Sequence, residues 1–86
     1  MKLTGNIYKD NIIIKTKTLD EDSNRNSIRD ILEELLILTC KDLDIQVPMW
    51  FDRNTKEFGA FKKTSFFKDQ FIENVDFTRF EIILDQ

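Results

Sequence analysis

Between Ser27 and Leu43 the chain places Ile28, Ile31, Leu32, Leu35, Leu36, Leu38, Thr39 and Leu43 within one broad stripe at about 100° per residue. That period belongs to a helix with one oily side. Ser27 followed by Asp30 supplies the S-x-x-[DE] start signal just ahead of the apolar run. A helix of this length gains most of its stability by packing its stripe on another layer, so the rest of the chain must provide one. On the opposite side Arg29 and Glu33 are spaced to pair across solvent. Ile37 projects among Asp30, Glu33, Glu34 and Lys41 on that polar side, where the core has no need of it, and is a candidate partner-binding residue.

The layer beneath is expected from both ends of the chain. Leu3 to Tyr8 and Ile12 to Thr18 are rich in β-formers and flank the short polar break Lys9-Asp10-Asn11, the pattern of a hairpin. In the second strand Ile12, Ile14, Thr16 and Thr18 alternate with Ile13, Lys15 and Lys17, and the side bearing Ile12 and Ile14 is expected to face the core. Asp20 to Asn26 reads as a polar loop leading into the helix. At the other end Phe80, Ile82 and Leu84 alternate with Arg79, Glu81 and Ile83 as a final strand.

Between these, Ile45, Val47, Met49 and Phe51 alternate with Gln46, Pro48 and Trp50, which predicts a strand placed at an edge by Pro48. Asp52 to Thr55 reads as a turn and Phe58 to Ser65 as the returning strand. Thr64 or Ser65 then starts a short helix lined by Phe67, Phe71, Ile72 and Val75. The expected architecture is α+β: a small single-layer antiparallel or mixed sheet in the order ββαββαβ, with one main amphipathic helix and a second short helix packed on one face.

Eighty-six residues without an internal repeat or a linker rich in Gly, Ser or Pro predict a single domain over residues 1–86. A core of this size is marginal by itself, so a self-association interface is a reasonable expectation. The lone Cys40 cannot form an internal disulfide, and the chain shows neither a signal-peptide run nor a stretch of about 20 apolar residues, which points to a soluble cytoplasmic protein without a membrane role.

Catalytic chemistry is expected to be absent. With no histidine the chain lacks the usual base near neutral pH and the commonest zinc ligand. Cys40 falls in the last turns of the main helix, where the negative end of the dipole opposes thiolate formation. The run Asp20-Glu21-Asp22-Ser23-Asn24 starts like a calcium loop, but Arg25 stands where that loop needs Gly and Ile31 where it needs Glu. Gly5 and Gly59 are the only glycines, so no phosphate-cradling loop exists. No enzyme, no cofactor and no metal is the resulting expectation.

Charge divides by segment: residues 1–19 carry +3, 20–44 carry −5, 45–68 carry +3 and 69–86 carry −4. The function expected first is a non-enzymatic protein-interaction module, self-association included, acting through the edge near Pro48 or the helix side bearing Ile37. The alternative is binding of nucleic acid, or of a protein that processes it. That would use either the basic and aromatic segment 50–68, with Trp50, Arg53, Lys62 and Lys63 as candidate contacts, or the acidic segment 20–34 as a mimic of a phosphate backbone.

Overall fold

The computed structural model describes residues 1–21 and 27–85, and residues 22–26 of the expected polar loop lie outside them. Four strands and two helices follow in the order β1 (Lys2–Lys9), β2 (Ile12–Asp20), α1 (Ile28–Asp42), α2 (Asp52–Phe61), β3 (Lys63–Phe67) and β4 (Arg79–Asp85), with one 3-10 turn at Lys68–Gln70. The sheet order is β2-β1-β4-β3 and every neighbouring pair is antiparallel. The expected α+β class, with an antiparallel sheet and two helices, is what the chain forms.

Local chemistry explains the first half. Asp10 and Asn11 both adopt positive φ, 53° and 69°, so a two-residue turn of the kind that matches strand twist closes β1 onto β2. The Ser27 side chain accepts a hydrogen bond from the Asp30 N–H and starts α1 as the sequence indicates. The helix ends where Asp44 turns left-handed, φ 58°, with Asp44 N–H donating to the Lys41 carbonyl and Ile45 N–H to that of Cys40.

Both helices lie on one face. Gly5, Ile82 and Thr64 stand side by side across β1, β4 and β3; α1 presses Thr39 onto Gly5, and Asn54 of α2 bonds Thr64. The core fills the space between: Leu3 and Ile7 from β1, Ile31, Leu35, Leu36, Cys40 and Leu43 from α1 and its end, Phe66 from β3, and Phe80, Ile82 and Leu84 from β4. Phe66 stacks on Phe80 at 5.9 Å, and Phe71 meets Phe77 edge-on at 5.3 Å. Each buried Leu, Ile or Phe contributes about 1.5–3 kcal/mol relative to exposure.

The middle of the chain departs from expectation. Residues 45–51 form no strand: Met49 N–H donates to the Gln70 carbonyl, and the Gln70 side-chain amide returns a bond to the Met49 carbonyl. Pro48 is buried there and marks no sheet edge. The expected turn at Asp52–Thr55 and most of the expected strand Phe58–Ser65 are instead α2, whose Asn54 side chain accepts from the Phe51 N–H. No helix starts at Thr64; β3 runs there, and only the 3-10 turn follows. The order is therefore ββααββ, because a polar anchor, and no apolar stripe, seats α2.

The second strand also departs. Ile7 pairs with Lys15 but Tyr8 with Ile13, so Ile14 is an extra residue, a bulge that shifts the alternation by one. Thr16 and Thr18 therefore face away from the helices, while Lys15, Lys17 and Leu19 share the helix side with Leu3 and Ile7. Ile12 and Ile14 reach beyond the helical layer and stay exposed.

Candidate interaction surface

Because both helices cover one face, the other is open, and its side chains stand in rows. Ser65, Glu81, Asn6 and Thr16 cross the sheet in one row, and Phe67, Arg79, Tyr8 and Ile13 in the next. Their polar groups bind one another. Thr16 Oγ1 donates to Asn6 Oδ1 at 2.6 Å, while Asn6 Nδ2 and the Tyr8 hydroxyl donate to Glu81 Oε1 at 3.4 and 3.1 Å. Arg79 lies 3.7 Å over the Tyr8 ring, donates to Ser65 Oγ at 3.1 Å and pairs with Glu81 at 3.5 Å. A face so satisfied offers a partner few unmade bonds.

The expected contacts are scattered. Ile37, 47% exposed, borders a shallow depression on the outside of α1 with Asp30, Glu33, Glu34 and Leu38. Trp50 packs its ring in the helical layer against Phe58 and Phe66 at 5.9 and 5.7 Å, and its Nε1 donates to Thr55 Oγ1. Arg53 is held between the Phe51 and Phe67 rings, 5.3 and 5.4 Å away, and donates to Asp69 and Gln70. Lys62 occupies the left-handed position ending α2, where its carbonyl accepts from the Leu84 N–H, and Lys63 opens β3 opposite Ile83. Arg53 thus sits beside the Phe67 end of β3, and Lys62 and Lys63 at its other end. Of the aromatic residues between them, Phe66 is buried and Phe58 half-buried.

What the sequence reading missed is β2 as a surface. None of its nine residues is buried, and Ile12, Ile13 and Ile14 are 67%, 49% and 48% exposed. Three successive isoleucines occupy both parities, so no single sheet face could have hidden them, and that was the available signal. On the helix side Ile14 and Lys15 line an open groove of about 320 Å³ together with Ile7, Asp44, Val75 and Phe77. Lys17 Nζ lies 3.7 Å from Asp42 of α1.

The main-chain pattern shows which way the edge points. Glu21 N–H donates to the Met1 carbonyl, and the Tyr8 carbonyl accepts from Thr78 N–H on the other side of β1. Odd residues of β1 therefore exchange bonds with β2, and even ones turn toward β4. By the same alternation Thr16, Thr18 and Asp20 of β2, which oppose Asn6, Thr4 and Lys2, direct their N–H and C=O groups outward from the sheet. Among the described residues this is an unpaired template beside an exposed apolar tip.

Among the described residues no group of three or more acidic or cysteine side chains is placed to hold a metal, and no helix is long and apolar enough to cross a membrane. Burial pushes the Cys40 thiol up to about 12, so it stays protonated. Comparison with protein-family models, with curated proteins and with solved structures finds no match to this chain.

Proposed function

We propose that the chain is a non-enzymatic protein-interaction module that binds by strand addition along β2. One observation carries the reading: a nine-residue edge strand without a buried residue, ending in three exposed isoleucines. Main-chain bonds from Thr16, Thr18 and Asp20 would supply the affinity, with Ile12 to Ile14 an exposed apolar flank beside them. The open sheet face supports this ranking, because its polar groups already bind each other. The nucleic-acid reading draws less support: Arg53 is engaged by two rings and two polar side chains, and no exposed ring stands beside Lys62 and Lys63 except that of Phe61. A lone cysteine held as a buried thiol is in keeping with a cytoplasmic setting.

A photoreactive side chain at position 18, compared with one at the exposed Lys41 of α1, tests the reading in cells that make the protein. Discrete adducts from position 18 that disappear with Thr16→Pro, which removes an outward N–H from the edge, are expected. Equal adducts from both positions, or none from position 18, would rule out docking on β2.

A further inference from the structure

We infer that the strand added to β2 is the β2 of a second copy, related by a twofold axis at Thr18, so that two sheets join edge to edge. This rests on the reading of β2 as a docking edge and names its occupant. Symmetric antiparallel pairing must bring some residue of β2 opposite itself. An axis at Lys15 or Lys17 puts that lysine against its own copy, and an axis at Thr16 puts Lys15 against Lys17. Like charges directly opposite are destabilising, so these registers are disfavoured. An axis at Thr18 pairs Lys17 with Leu19 and Thr16 with Asp20 of the second copy, and brings Lys15 to Glu21.

That register also fits the main chain. Thr16, Thr18 and Asp20 point their N–H and C=O groups outward, and with the axis at Thr18 those are the residues that meet, Thr16 with Asp20 and Thr18 with itself. Parity agrees as well. Lys15 and Glu21 both lie on the helix side, opposite Ile7 and Met1, so the opposite charges meet on one face. An axis at Leu19 likewise avoids facing lysines but leaves a shorter overlap, since β2 ends at Asp20. Edge lysines commonly block sheet-to-sheet association; here they close the registers centred on Lys15, Thr16 and Lys17, and the bulge at Ile14 closes the one centred there, since it would set the outward main-chain groups of Ile13 against the inward ones of Lys15.

Thiols introduced at Thr18 and at Thr16 separate the registers. Residues meeting as a hydrogen-bonded pair have Cα atoms about 5.5 Å apart, within disulfide reach, whereas the two copies of residue 16 would be about 13 Å apart along the strands. Cys40 is buried and protonated, so it adds little background. Mild oxidation is expected to give a covalent dimer from Thr18→Cys and not from Thr16→Cys, with the mass of the unmodified protein rising with concentration in sedimentation. Lys15→Glu and Glu21→Lys are each expected to weaken association several-fold, and the double variant to restore it. Dimer from Thr16→Cys as readily as from Thr18→Cys, failure of the charge swap to restore association, or a single-subunit mass at every concentration would overturn the inference. In the last case, adducts from position 18 to a different protein would leave edge docking standing, and their absence would remove both.

Discussion

Gly5 and Thr39 meet so closely where α1 crosses β1 that a Cβ on Gly5 would lie 2.6 Å from Thr39 Cγ2 and 2.9 Å from the Phe80 ring. The φ of Gly5 is not positive, so the position needs glycine for space alone. Gly5→Ala is expected to cost about 1–3 kcal/mol, the range for overpacking. Urea denaturation measures it, and adding Thr39→Ser, which deletes the clashing methyl, should recover part of the loss. A fully stable Gly5→Ala would mean that α1 does not seat on β1 at this point.

Thr39 carries a second burden. Its Oγ1 is buried without a hydrogen-bond partner among the described residues. Replacing such a hydroxyl by a methyl of the same shape removes a desolvated group and leaves no orphan behind. Thr39→Val is therefore expected to be neutral or to stabilise by about 1 kcal/mol in the same denaturation experiment.

The middle of the molecule hangs on two buried amides. Asn54 Nδ2 donates to Thr64 Oγ1 and to the Ser65 carbonyl, its Oδ1 accepts from Gln70 Nε2, and Gln70 reaches the Met49 carbonyl. Asn54→Ala strands several of these groups at once, and the loss of about 1–3 kcal/mol for a buried orphan applies. Calorimetric melting should show that loss, and Gln70→Ala one of similar size. The double variant should cost less than the sum, because the two share a bond.

For Cys40 the sign of the pH dependence follows from burial. Its thiol rises from 9.0 to about 12 in the folded chain, so between those values the folded state keeps a proton that the unfolded state has lost. Stability due to this group is present below pH 9 and falls as pH rises through that range, by at most about 1.4 kcal/mol per pH unit. Cys40→Ala should show a flatter decline than the unchanged protein. Alkylation of the native thiol should follow the rate of unfolding.

Much of the fold was legible where one chemical pattern had one structural solution. The helix beginning at Ile28, the Ser27 cap and the hairpin break at Lys9-Asp10-Asn11 each admit little else, and all three appear, although Ile28 and Leu38 of the expected stripe stay exposed. The segment after Asp44 misled because the alternation of Ile45, Val47, Met49 and Phe51 is also what an irregular stretch in the helical layer can show. Helix α2 was invisible to apolar periodicity, since its one buried residue is Asn54. The parity of β2 failed for a sharper reason: one extra residue, Ile14, reverses every side chain after it. Arg53 and Trp50 were legible as unusual, but their partners Phe67, Gln70 and Thr55 could be assigned only in three dimensions.

Residue-resolved amide hydrogen exchange along β2 tests the central claim most directly. In dilute protein Lys15, Lys17 and Leu19, bonded to β1, should be protected while Thr16, Thr18 and Asp20 exchange freely; as concentration rises, Thr16, Thr18 and Asp20 should become protected too. Uniform protection at every dilution, or amides at 16, 18 and 20 that stay open however concentrated the sample, would contradict the account.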